Sequence, residues 1–286
     1  MNEFELIEKL TRTLPTNKFV VTGSGDDCAV LDLGIPDKLL LFKTDAVVEG
    51  IHFKSTTAPE KIGHKALARC LSDIAAMAGT PTTALVTLAL PKTFDAAFVE
   101  AIYSGMGALA KKHGVAIAGG ETTTNPERIL ISIALLGTVP RGKAVLRSGA
   151  EAGDAIFVTG ELGGSLAARH LDFEPRLDEA RWLAEHFPIH AMIDLSDGLA
   201  GDLRHILKAS HAGAELLTTS IPISRAAKLA SRSENSAKPP LLDAWKQQFP
   251  KLAVTCIGKI TAGEGITLRD KTGVRPLSAH GYEHFA

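Results

Sequence analysis

The spacing of hydrophobic positions changes along the chain, and each change predicts a different element. In residues 2–14, Phe4, Ile7, Leu10 and Leu14 recur at steps of three and four, the signature of a short amphipathic helix. A glycine-bearing loop follows. The runs "LLLFKTDAVV" (39–48), "TALVTLAL" (83–90), "GVAIAGG" (114–120) and "ILISIALLGTV" (129–139) are apolar and partly β-branched, and they predict strands. Helices are expected between them at about 60–78 and 94–112. Strands alternating with helices in this order predict an α/β first domain of about 140 residues.

"PRGKAVLRSGAEAGD" (140–154) is rich in proline, glycine and charge and reads as a joint, which divides the chain into domains 1–140 and 141–286. Beyond it, "AIFVTGELGGSLAARHL" predicts a strand, a glycine turn and a helix. A further helix follows "DLSDGL", and "LAVTCIGKI" and "GITLRD" predict late strands. The polar, proline-containing "SRSENSAKPP" (231–240) predicts a loop.

Composition narrows the class. With 286 residues, 45% hydrophobic and 22% charged, the chain reads as a soluble globular protein with room for two ordinary cores. Lys plus Arg (31) nearly cancels Asp plus Glu (32), so no broad electrostatic footprint for nucleic acid or an anionic membrane is expected. Any anionic ligand must be held locally. Cys28, Cys70 and Cys256 are far apart and form no Cys-x-x-Cys pair, which argues against a disulfide scaffold or structural zinc and favours a reducing cytoplasm. No uninterrupted apolar run of about 18 residues occurs, and the N-terminus lacks the pattern of a secretory leader.

The candidate chemistry is acidic. In the helix "EKIGHKALARCLSDIAAMAG", Ala66, Cys70, Asp73 and Met77 fall at steps of four, three and four, placing Asp73 on an apolar face where its charge requires compensation. Asp26 and Asp27 follow a Gly-Ser-Gly turn, Asp45 sits in a buried-strand pattern, and Glu121 follows Gly119-Gly120. "IDLSDGLAGDL" adds Asp194, Asp197 and Asp202. Such a set suits Mg²⁺ and phosphate, since hard cations prefer carboxylate oxygens. Each member also has a plainer reading: Ser196 or Asp197 suits a helix N-cap, the glycines suit turns, and Asp202 suits a solvent-facing or structural place. His186 and His190 are four apart, but Pro188 between them argues against a helical metal pair. No Gly-x-Ser-x-Gly elbow, Walker loop, His-Glu-x-x-His or protein-kinase catalytic loop is present.

Taken in order, "GSGDDCAVL", "TDAVVEGIHF", "IGHKALARCLSDIAAMAGTP", "IAGGETT", "LRSGAEAGDAIFVTGELG", "EPRL", "IDLSDGLAGDLRHI" and "GYEHF" resemble the thiamine-monophosphate kinase family. That family belongs to the superfamily of aminoimidazole ribonucleotide synthetase and selenophosphate synthetase. The resemblance implies an α/β (α+β) protein. Its N-terminal mixed-sheet domain would bind ATP and metal and pair with a second copy into a dimeric barrel, and a C-terminal α/β domain would complete the active site. It further implies direct, in-line transfer of the ATP γ-phosphoryl group to thiamine monophosphate with several Mg²⁺ ions, and no protein nucleophile.

Carried over by position, Asp27, Thr44, Asp45, Asp73, Glu121, Asp194 and Asp197 match metal ligands. Gly119, Gly120, Arg147 and Ser196 match nucleotide contacts, and His52 and Tyr282 match substrate contacts. Three departures stand out. Lys43 occupies the place of a metal-contacting serine, and it either replaces one cation's charge or points away along the strand. Glu121 replaces an aspartate, adding a methylene. A "GGEDYELLFT"-like segment, expected between "AKPP" and "LAVTCIG", is absent. A related ATP enzyme with another small substrate, or a nucleotide-binding paralogue without turnover, are the alternatives.

Overall fold

Strand β3 (Lys38–Val48) is the long central element of the first of two units into which the chain divides, in a computed structural model that describes residues 3–224 and 240–278. This unit takes Thr16–Ala144 and Arg169–Ala184. Its sheet also contains β1 (Val20–Thr22), β2 (Ala29–Leu31), β4 (Thr80–Leu90), β5 (Ala116–Thr124) and β6 (Leu130–Pro140), in the order β1-β2-β3-β6-β4-β5. All neighbours are antiparallel except β4 and β5, which are parallel and joined by helix α3 (Ala96–Lys112). The sheet is therefore mixed, as a lone βαβ crossover between antiparallel neighbours requires.

The four long strands and two helices expected of this region are present, with β5 running on through Gly119-Gly120 to Thr124. Strands β1 and β2 lie where a loop was expected. The register of β3 against β6 is unbroken from Lys38↔Pro140 to Val48↔Leu130. Helix α2 (Pro59–Ala76) packs on β3 and β6, so Leu39, Leu41 and Val47 of β3 and Ile131, Ile133 and Leu135 of β6 are buried on one face. The opposite face is partly bare, with Phe42 45% and Leu85 50% exposed. Helices α2 and α3 approach closely through glycine: a Cβ on Gly63 would lie 1.8 Å from the Ile102 carbonyl oxygen, and one on Gly105 2.0 Å from that of Glu60.

The second unit comprises Met1–Pro15, Val145–Ala168 and Glu185–Ala286. Its mixed sheet runs β11-β10-β8-β9-β7, from β7 (Ala155–Thr159), β8 (Gly213–Leu217), β9 (Val254–Thr261), β10 (Gly265–Asp270) and β11 (Gly273–Pro276). Helix α1 (Glu3–Thr11) is the predicted N-terminal helix, and α4 (Ser165–Ala168) follows the predicted glycine turn. Helix α5 (Leu177–His186) begins in the first unit. Helix α6 (Leu199–Ser210) sends Leu203 and Leu207 into a core with Val158, Leu216, Ile257 and Ile266. Helix α7 (Pro240–Gln248) buries Trp245, whose indole N–H donates to the Leu252 carbonyl at 2.7 Å. Most of the expected 231–240 loop lies outside the described residues. No helix among the described residues is long and apolar enough to cross a membrane, and all three cysteines are free.

Candidate active site

Two strand positions and two helix positions in the first unit form a ladder of opposite charges. Lys43 and Asp45 are two apart on β3 and share a face; Arg69 and Asp73 are four apart on α2 and do the same. Lys43 Nζ lies 3.1 Å from Asp73 Oδ1, and Arg69 Nε lies 3.0 Å from Asp45 Oδ2. Lys43 thus points towards Asp73, which resolves the two directions left open by the strand pattern. Asp73 is the buried acid predicted from the apolar helix face, with 6% of its surface exposed. Burial would depress the Lys43 ammonium, but the charges of Asp73 and Asp45 outweigh it and hold the group above lysine's ordinary value.

Asp27 joins this ladder from the turn before β2. It is 1% exposed, and one of its carboxylate oxygens lies within 4.8 Å of one on Asp73. Its neighbour Asp26 accepts the Asp27 N–H at 3.1 Å, and Cys28 N–H donates to Met77 Sδ at 3.1 Å, so the turn is tied to the end of α2. The Cys28 thiol is raised by burial and then by Asp73, and that of Cys70 by burial and then by Asp45.

Thr44 and Glu121 belong to the other face of the sheet. Thr44 Oγ1 is 3.4 Å from Ser132 Oγ. Register pairs Ser132 with Ala46 and Thr87, and Thr87 with Glu121, so these side chains line the bare face, away from Asp45 and Asp73. Gly120 has φ +153°, and a Cβ there would meet the Val86 carbonyl oxygen at 1.8 Å, so packing of β5 on β4 alone demands glycine. Gly119, at φ +138°, has open space where a Cβ would project. Its backbone can therefore meet a ligand closely.

His52 ends the turn after β3. Its Nδ1 accepts the Val48 N–H at 3.0 Å, which leaves the proton of the neutral ring on Nε2 as a donor. Lys65 donates to the His52 carbonyl at 2.7 Å, and burial followed by the charge of Arg69 lowers its pKa to about 8. The same turn borders a cavity of about 250 Å³ whose lining includes Glu49, Phe53, Phe94, Asp95, Phe98 and Glu127.

In the second unit, the acids of "IDLSDGLAGDL" divide their roles. Gly198 is the N-cap of α6 at φ +104°, with no side-chain cap bond. The capping suited to Ser196 or Asp197 is therefore not seen; instead Asp202, from inside the helix, ties back the preceding loop, its Oδ2 accepting the N–H of Asp197 at 3.2 Å and of Gly198 at 3.0 Å. Asp202 is buried and structural, not solvent-facing, because those two amides compensate it. Burial, then Asp194 and Asp197, raise its pKa to about 7. Asp197 and Ser196 are left exposed. Arg147 is half-buried, and its charge, after burial, lowers the His205 imidazole, while Asp197 opposes that shift. The Arg147 backbone is fixed by Ser210 Oγ, which donates to its carbonyl at 3.2 Å. Tyr282 lies outside the described residues. Arg69 completes the charge ladder of the first unit and was missed from sequence, although its place four residues before Asp73 on the same helix was the available signal.

Comparison with known proteins gives one consistent picture. Residues 25–139 match the family model described as AIR synthase related protein, N-terminal domain. The thiamine-monophosphate kinase of Rhodopirellula baltica is 45% identical over 254 residues, covering 86% of this chain and 78% of that protein. That of Escherichia coli K12 is 34% identical, covering 99% of this chain and 98% of its own length. The latter alignment spans 327 positions against a chain of 286, so the relative carries additional residues. A solved structure described as "AaThiL complexed with AMPPCP and TMP" superposes with a TM-score of 0.79 at 26% identity, covering 99% of this chain and 97% of that one.

Proposed function

Because the chain belongs to the thiamine-monophosphate kinase family, we propose that it transfers the γ-phosphoryl group of ATP directly to the phosphate of thiamine monophosphate, giving thiamine diphosphate. The observation that carries this reading is the match along nearly the whole length of both chains, together with a structural neighbour that holds an ATP analogue and TMP.

Donor and acceptor are both anionic, so their approach requires fixed and mobile positive charge, after which in-line positioning does most of the work. Oxygen donors fit Mg²⁺: Asp27, Asp45 and Asp73 in the first unit, and Asp194 and Asp197 in the second, are assigned to hold it. Mg²⁺ would supply charge neutralisation at the phosphate oxygens. Thr44 and Glu121, on the other face, would serve a separate cation. Arg147 and Ser196 are assigned to the nucleotide phosphates, to which a guanidinium would donate in a forked geometry; Gly119 and Gly120 are assigned to the same nucleotide, and the open space at Gly119 would let phosphate oxygens approach the backbone. His52 and Tyr282 are assigned to thiamine monophosphate, and His52 would act on it as a hydrogen-bond donor through Nε2. The phenylalanine and carboxylate lining of the nearby cavity suits a cationic heteroaromatic ring such as thiazolium.

The bare sheet face, with Phe42 and Leu85 exposed, supports a homodimer in which two first-unit sheets pair into a barrel. Three free cysteines suit a reducing cytoplasm. Lys43 beside Asp73 favours one second reading, a nucleotide-binding paralogue without turnover.

The test is chromatographic separation of thiamine phosphates after incubation of purified protein with ATP, Mg²⁺ and thiamine monophosphate. One thiamine diphosphate per ADP is expected. Bound ATP with no thiamine diphosphate would overturn the kinase in favour of the paralogue.

A further inference from the structure

The ladder between β3 and α2 contains two bases of different character. Arg69 is held at two points, Nε on Asp45 and Nη1 donating to the Ala46 carbonyl at 2.8 Å, so its fork joins strand to helix. Lys43 is a compact point charge on a flexible stem. Its ammonium meets Asp73 at 3.1 Å, and Asp27 brings a second buried carboxylate within 4.8 Å of Asp73. An ammonium at that distance occupies ground on which a divalent ion would have to stand, since a hard cation binds carboxylate oxygen at about 2.0–2.6 Å. Two full positive charges so close in a partly dry setting repel strongly.

We propose that Lys43 is a built-in cation that takes the place of one divalent metal ion at Asp73. This rests on the assignment of the first unit's acids as metal ligands. The fixed ammonium neutralises part of the Asp27/Asp73 pair permanently, so this protein reaches its working charge with one fewer ion per protomer than the same acids would bind without it. Lys43 is a positioning residue: it sets how many ions stand beside the phosphates and touches none of the reacting atoms itself.

The test counts bound ions rather than turnover. Mn²⁺ binding to the full-length protein, read from the electron paramagnetic resonance signal of free Mn²⁺ with and without the ATP analogue AMPPCP, is compared among wild type, Lys43→Ala, Lys43→Gln and Lys43→Arg. The alanine and glutamine variants are expected to bind one additional Mn²⁺ per protomer, and the arginine variant to match wild type. Mn²⁺ should also raise the melting temperature of the first two more than that of wild type. Lys43→Gln keeps most of the stem bulk, so the comparison survives if the alanine variant does not fold. Equal, non-zero binding in wild type and both neutral variants would overturn the inference and leave the metal ligands standing. No Mn²⁺ binding in any of the proteins would overturn both.

Discussion

His52 shows how one backbone bond fixes the tautomer of a neutral ring. Because its Nδ1 accepts the Val48 N–H, the neutral ring carries its proton on Nε2. His52→Ala is predicted to raise the KM for thiamine monophosphate about tenfold or more, the scale of a hydrogen bond to a charged group, with the KM for ATP changed less than about twofold. Steady-state kinetics with each substrate varied checks this; equal losses for both would remove His52 from the substrate site. Other single residues differ in how far sequence exposes them. Asp73 was legible, because steps of four, three and four fix its face of the helix. The direction of Lys43 was not, since period-two alternation gives a face but does not say which acid α2 sets against it. Asp202 was ambiguous for the same reason: a carboxylate at the fourth position of a helix becomes buried only when the preceding loop folds back to give it two amides.

At the scale of elements, the packing of α2 on α3 depends on two glycines that sequence pattern treats as helix weaknesses. Gly63→Ala is predicted to lower the unfolding free energy by about 1–3 kcal/mol, because its methyl group must push the Ile102 carbonyl away. Gly107→Ala, on the same α3 with nothing within 4 Å of the added carbon, is predicted to stabilise by up to about 1 kcal/mol through helix propensity alone. Denaturant melts of the pair separate the two effects, and shifts of the same sign would contradict the close-approach account. Long elements were read well, since eleven-residue β3, β4 and β6 and the helices α2 and α3 carry several periods of signal. The three-residue β1 and β2 carry barely one, and they exist because β3 offers an edge to β2 and β2 in turn offers one to β1. Strand β8, "GAELL", and helices α5 and α7 were missed for a related reason: at five to ten residues they carry few periods of signal.

For the whole molecule, the two faces of the first unit's sheet differ in character. One face carries α2 and the charge ladder; the other exposes Phe42 and Leu85 beside Thr44 and Glu121. If that bare face is the dimer surface, Phe42→Lys is predicted to convert a particle of twice 30.2 kDa into monomers in sedimentation equilibrium, and an unchanged mass would place the interface elsewhere. The buried acids of the first unit are either the working centre of phosphoryl transfer or merely a structural ion-pair ladder. Asp73→Asn separates the two, since asparagine keeps the size and an acceptor for Lys43 while removing the charge. The decisive measurement is the rate of thiamine diphosphate formation by wild type and Asp73→Asn, side by side with their melting curves. The account predicts turnover in wild type and a loss of about 10²-fold or more in the variant, with a cooperative melt retained. Wild-type turnover in a folded Asp73→Asn would contradict it.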